Sequence, residues 1–438
     1  MRLHSLKPDL SPLRASRDLR LVVLGGFLSG LGSQATLVAL PYQVYVQTHS
    51  ALLVGLLGSV ELVPLVAASL LGGAVADRVD RRMLLLLDQV GLVLTAAALA
   101  LAAWLGHPPL AVVYALAGLL AAFTALQNVA TSAIVPGLVV PAQLRSALAL
   151  NYGLSTLTMV VGPALGGILI AALGLPWAYA VDALSCAAMV LAMIALTPQP
   201  PVRVGRHEPL RTSIADGLRY VRGNQALLGS FAIDLVAMIF GMPRALFAVL
   251  SVSVYHTGAA GAGALYSAVA AGATVSALTT GWLRHVSRLG RVVVFAVTAW
   301  GVAIALAGLA GSLWIAAVLF ALAGAADSVS AVCRTTINQS VTPEHMRGRM
   351  SAVYSLVVSG GPRLGDIESG VVAGATGPRF AVVSGGVLCV LGVGAVVAAF
   401  PALLRYDATD WIAESSASRS SVASPATASA STSSSGPN

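Results

Sequence analysis

The chain has 438 residues, of which 57% are hydrophobic and only 10% charged, and its mean hydropathy is +0.86. A soluble globular domain carries about 25% charged residues, so this composition excludes a chain that coats itself with a water-facing surface. The net charge of +8 does not indicate a nucleic-acid partner, because the basic residues sit in short loops at alternate ends of apolar blocks, which is a topology signal.

Residues 1–18 form a polar, basic N-terminal segment. The first apolar block follows, from about Leu19 to Val46. It is far too long for the apolar region of a cleavable signal peptide and reads as a first span. A spanning helix needs about 20 apolar residues, because the hydrocarbon core is roughly 30 Å thick. Eleven further blocks of that length are predicted at 52–76, 83–105, 108–134, 144–174, 176–196, 226–254, 260–283, 291–311, 313–340, 348–375 and 379–404. Lipid cannot satisfy open backbone groups and no alternating barrel pattern is present, so all twelve are predicted to be helices. Of the 25 Lys and Arg residues, 21 lie at one end of the blocks, Arg379 alone lies at the other, and Arg244, Arg334 and Arg363 fall within spans. The positive-inside rule then places both termini in the cytoplasm, which requires an even number of spans.

Segment 197–225 interrupts the series. It opens Pro-rich and continues as a basic amphipathic stretch, Leu210–Arg222, which reads as a cytoplasmic linker with a helix along the membrane surface. It separates two six-span halves, 19–196 and 226–404, and the Ser/Ala/Thr-rich tail, 405–438, is expected to be disordered and cytoplasmic. The halves resemble each other. Val140–Tyr152 follows the fourth span and Val341–Tyr354 the tenth, and aligning Pro141 with Pro343 brings Arg145 onto Arg347 and Tyr152 onto Tyr354. Two parallel six-helix repeats are a transporter architecture.

Gly73-Ala-Val-Ala-Asp77-Arg78-Val-Asp80-Arg81-Arg82 lies between the second and third spans. It resembles the loop signature of the major facilitator superfamily, G-x-x-x-D-R-x-G-R-[KR], with Asp80 where the signature has Gly. The resemblance implies a twelve-helix, all-α membrane fold in which Asp77 contacts the eleventh span and steadies one face of an alternating-access cycle. Gly162-Pro163-Ala-Leu-Gly166-Gly167 in the fifth span resembles the core of the superfamily's antiporter signature, although the upstream glycines are absent. Pro41-Tyr-Gln-Val-Tyr, Thr48-His49-Ser50, Val54-Gly55, the Asp77 loop and Val341-Thr-Pro-Glu-His-Met-Arg-Gly-Arg together resemble the enterobactin-exporter branch over roughly residues 15–405. That branch contains drug and metabolite exporters as well, so it does not fix a substrate. The arginine that drug antiporters carry in the fourth span has no counterpart; Gln127 and Asn128 stand there instead.

Ionisable residues inside spans are costly unless they face a cavity or a partner. Asp234 and Arg244 in the seventh span and Asp327 and Arg334 in the tenth are the candidate proton and substrate residues, with Gln34, Gln127, Asn128 and Asn151 as neutral lining. Asp327 and Arg334, seven apart, share a helix face. Asp234 is expected first as proton carrier, because no Arg lies within a turn of it on its own helix. Arg363 and Asp366, three apart, are expected to form a structural ion pair. Glu61 and Asp182 are read as lying near outer span ends, where water reaches them, and Glu61 and Glu368 are reserve proton carriers. Cys186, Cys333 and Cys389 have no metal-ligand spacing, and no metal or cofactor is expected. No Walker loop or nucleophile–His pair is present, so an enzyme is not expected. The expectation is a monomeric, proton-driven exporter of a small organic compound in the cell's inner (cytoplasmic) membrane. An uptake symporter of the same fold and a non-transport sensor or scaffold are the rivals.

Overall fold

Helices close their backbone hydrogen bonds within one segment, which is what a lipid environment demands. All twelve apolar blocks are helical over most of their length in the computed structural model, which describes residues 10–76, 79–197, 210–343, 346–407 and 409. No strand occurs among the described residues. The first half comprises α1 (Arg17–Thr48), α2 (Ala51–Ala76), α3 (Arg81–Trp104), α4 (Leu110–Ile134), α5 (Leu144–Leu173) and α6 (Leu175–Ile194). After the linker helix α7 (Leu210–Gly223), the second half comprises α8 (Gln225–Phe240), α9 (Leu246–Ser253), α10 (Gly258–Thr279), α11 (Leu289–Leu309), α12 (Leu313–Val341), α13 (Arg347–Thr376) and α14 (Pro378–Ala399).

Polar side chains start several helices. The Ser16 hydroxyl accepts from the Leu19 N–H at 3.1 Å, and the Asn224 side chain accepts from the Ala226 and Leu227 N–H groups at 3.1 Å. These bonds satisfy donors that a helix start leaves open. Asn224 also marks a turn of 110° between α7 and α8. The linker helix is tied to the second half by Tyr220, whose hydroxyl donates to the Val341 carbonyl at 2.8 Å, and by an Asp216–Arg349 ion pair at 3.2 Å. The linker residues 198–209 and most of the tail lie outside the described residues.

Among the described residues, ten helices are long and apolar enough to cross a membrane, or eleven if the bent α7–α8 pair counts as one. Two of the twelve predicted blocks fall short for physical reasons. The block at 226–254 is two helices, α8 and α9, because Pro243 has no N–H and disfavours helix in the residue before it. The 30-residue α13 carries Arg363, Asp366 and Glu368 in its interior. Large apolar side chains such as Leu278, Phe295 and Trp314 are turned outward, a face that lipid would cover and water would penalise.

The repeat seen in the sequence recurs in packing. In the first half α2 packs on α4, α3 on α6 and α1 on α5; in the second, α10 packs on α12, α11 on α14 and α8 on α13. Turns correspond too. His49 and His256, with φ of 50° and 54°, close the first hairpin of each half, while Gly174 and Gly377, with φ of 91° and 95°, precede the last helix of each. The halves meet along two seams, α2 on α13 and α5 on α10.

Candidate functional site

Both seams are backbone-on-backbone contacts. A Cβ added to Gly55 of α2 would lie 2.5 Å from the Asp366 carbonyl oxygen of α13, and one added to Gly370 would lie 2.6 Å from the Gly55 Cα. In the second seam, Gly167 of α5 faces Gly263 of α10, and the Ala164 N–H, next to Pro163, donates to the Ser267 hydroxyl at 2.9 Å. Small residues allow this approach. The two seams lie toward the end of the bundle that carries the His49, His107 and His256 turns. The opposite end carries the basic loops.

Along α2, successive turns tell the seam from the cavity. Gly55 and Gly58 touch α13, and Glu61 makes an ion pair with Arg363 at 2.8 Å. Below that pair, Leu65 lines a cavity of about 220 Å³ and Ser69 one of about 320 Å³. The two cavities are neighbours, with Leu65 and Thr124 in the walls of both, and the second lies nearer the basic-loop end. The deeper one is walled by both halves: Gln34 of α1, Glu61 of α2, Arg244 between α8 and α9, Tyr266 of α10, and Arg363 and Asp366 of α13.

The broken seventh block supplies the cavity's least regular wall. A helix break exposes backbone groups that only protein can satisfy at membrane depth. Trp300 Nε1 donates to the Gly241 carbonyl at 2.8 Å, the Tyr266 hydroxyl donates to the Arg244 carbonyl at 3.0 Å, and Asp366 Oδ1 accepts from the Ala245 N–H at 3.0 Å. This corrects the expected Arg363–Asp366 pair. Asp366 is taken up by the break, and Arg363 reaches across the seam to Glu61. Spacing on one helix permits a pair, but a stronger demand from a neighbouring element decides it.

A second charged cluster lies within the second half. Arg334 of α12 contacts Asp234 of α8 at 2.6 Å and Asp327 at 3.5 Å. Asp234 and Arg334 are almost fully enclosed, whereas the Asp327 side chain is 27% exposed and lines a small cavity shared with Arg244. No arginine lies within a turn of Asp234 on its own helix, and α12 supplies Arg334 from across the half. The other two corrections concern wetting. Asp182 is fully buried and accepts from Ser33 at 3.0 Å and Thr36 at 2.6 Å. Glu61 sits inside the bundle in the cavity wall, its side chain 17% exposed.

The remaining predicted residues scatter. Gln34 is in the deep cavity and Asn128 in the cavity below it, while Gln127 and Asn151 line neither. Glu368 also lines neither. Gly162 and Gly166 pack on Gln34 and Ala35 of α1, so this motif serves two interfaces at once, α1 and, through Gly167, α10. Gly73 lies in α2, but Asp77 and Arg78 fall outside the described residues. Arg81 and Arg82 begin α3, and Arg82 donates to the Met193 and Ile194 carbonyls at 2.9 and 2.7 Å, capping the last turn of α6. Sequence reasoning passed over Asp88 of α3. It is fully buried, and neither carboxyl oxygen has a side-chain hydrogen-bond partner among the described residues. An acid inside the run Leu84–Leu92 was the signal.

Fold and cavity together define a polytopic helical transporter. A family profile described as "Transmembrane secretion effector" matches residues 8–437. The chain belongs to that family of membrane exporters, within the major facilitator superfamily, and is not an enzyme. It is 30% identical to the enterobactin exporter EntS of Citrobacter koseri over 386 residues, which cover 88% of this chain and 92% of the relative. Among solved structures, it resembles the nucleoside transporter NupG with a TM-score of 0.69 at 15% identity, covering 89% of this chain and 100% of that one. It resembles a POT family transporter in complex with a thioalcohol-conjugated peptide with a TM-score of 0.71 at 12% identity, covering 88% and 96%. At these identities the structural likenesses bear on the fold alone.

Proposed function

We propose that this protein exports a small organic compound from the cytoplasm by proton antiport, rocking two six-helix halves of a twelve-span bundle about the central cavity. The observation that carries the reading is the cavity itself: walled by both halves, backed toward the His-turn end by two glycine seams and the Glu61–Arg363 pair, and adjoined toward the basic-loop end by a second cavity that shares Leu65 and Thr124. With the basic loops and both termini in the cytoplasm, as the charge asymmetry supports, this is the inward-open state. The 30% identity to an enterobactin exporter supports export of a siderophore-like compound or another metabolite.

Asp327 is the carboxylate best placed to carry the proton. It is the looser of the two partners of Arg334, and it is the one that reaches a cavity. A proton on Asp327 leaves Arg334 paired with Asp234 and the buried charge balanced. Transport assays in inside-out vesicles test the reading. Substrate is expected to accumulate inside when an acid-inside proton gradient is imposed, and an uncoupler is expected to abolish that accumulation. Accumulation unaffected by the uncoupler contradicts proton drive. Loss of preloaded substrate under the same acid-inside gradient, with no accumulation, contradicts export.

A further inference from the structure

Four charged residues line the deep cavity: Glu61, Arg244, Arg363 and Asp366. Three have a partner within hydrogen-bond or ion-pair distance. Glu61 and Arg363 neutralise each other at 2.8 Å, and Asp366 accepts from the Ala245 N–H at the broken seventh block. Arg244 is different. It makes no ion pair among the described residues, and its buried Nε has no hydrogen-bond partner. Its backbone is nonetheless pinned, by Tyr266 on its own carbonyl and by Asp366 on the next N–H. Arg244 shares this cavity with the apolar side chains Leu37, Leu40, Leu57 and Leu120, and a cation at membrane depth with no ion pair of its own favours a counter-charge. Asp327 shares the small cavity beside it, but Arg334 already holds that carboxylate at 3.5 Å.

We propose that Arg244 binds an acidic group on the transported compound, and that the substrate is therefore a small organic acid with an apolar body. The proposal rests on the export reading only in taking the deep cavity as the substrate site. Arginine suits this role because its planar fork of donors matches the two oxygens of a carboxylate. The cavity below offers no competing charge: Ser69, Asn128, Ser355 and Ser359 line it with hydroxyls and one amide. A compound entering from the basic-loop end meets neutral polar groups first, then a chamber in which Arg244 is the cation without an ion pair among the described residues.

The test uses the full-length protein in detergent and acids paired with their own primary amides: salicylate with salicylamide, phenylacetate with phenylacetamide, octanoate with octanamide. Each pair keeps the apolar body and changes the charge. Binding is read by equilibrium dialysis and by thermal stabilisation. In at least one pair the acid is expected to bind about tenfold more tightly than its amide, the affinity equivalent of one charge-assisted contact. Arg244→Gln is expected to erase that preference without weakening amide binding, and Arg244→Lys to keep part of it. The proposal is overturned if no acid outbinds its amide on the wild-type protein, or if the preference survives in Arg244→Gln. Because binding needs no membrane, the two readings fail separately. Acid preference with no vesicle transport tells against export alone. Vesicles that accumulate a cationic dye, with no acid preference in detergent, tell against the anion assignment alone.

Discussion

The two charged clusters inside the bundle use the same chemistry in opposite mechanical settings. Glu61–Arg363 joins α2 to α13, one element from each half, and its side chains are 17% and 20% exposed to the cavity. Asp234–Arg334–Asp327 joins α8 to α12 within one half, and its tightest pair is nearly sealed. If the halves rock as rigid bodies, the first cluster breaks in every cycle while the second persists. A pair that must break is best kept wetted and weak. A buried pair that never has to open can bear its desolvation cost through close contact. On the proposed rocking motion, position relative to the seam between the halves separates a latch from a proton site more surely than residue type does.

Four single substitutions and one charge exchange break or sharpen this contrast. Gly55→Leu is expected to act most strongly on function, since even a Cβ there would lie 2.5 Å from the Asp366 carbonyl oxygen. Export should fall to background while folded yield is retained; normal export by Gly55→Leu would mean that the α2–α13 seam need not close. Arg334→Ala strands Asp234 without a counter-charge, and it should cost about 3–5 kcal/mol of stability, read from unfolding in detergent. A change below about 1 kcal/mol would show that the cluster is dispensable to the fold. Asp327→Asn is expected to leave stability and substrate binding nearly intact but to remove the dependence of export on the proton gradient. If Asp327→Asn vesicles still concentrate substrate in a gradient-dependent manner, the proton is carried elsewhere. Arg363→Ala should cost less stability than Arg334→Ala, because the pair it breaks is more open to a cavity. The exchange Glu61→Arg with Arg363→Glu should recover export that either single change impairs; additive damage in a double-mutant cycle would deny the pair a shared role.

Much of the architecture was legible because membrane helices declare themselves locally. The twelve blocks, the repeat aligned on Pro141 and Pro343, and the linker helix after Leu210 all come from runs of residues along the chain. Side-chain partners were harder, because each depends on an element distant in sequence. Arg363 and Asp366 satisfy the one-turn rule, yet the break near Pro243 claims Asp366 and the facing helix offers Glu61. Asp234 lacks an arginine on its own helix and receives one from residue 334. Asp182 looks wetted until Ser33 and Thr36 of α1 close on it. Asp88 was legible by the same rule that selected Asp234 and was passed over; its lack of side-chain partners among the described residues could come only from the packed bundle.

Thiol accessibility tests the central claim, a cavity closed at one end and reached from the other. The native cysteines, Cys186, Cys333 and Cys389, are all buried, so a single introduced thiol reports cleanly. Thr124 lines both the deep cavity and the cavity below it. In Thr124→Cys, a membrane-impermeant maleimide is expected to label the protein rapidly in inside-out vesicles and slowly in intact cells. Faster labelling in intact cells than in inside-out vesicles would contradict the assignment of the open end.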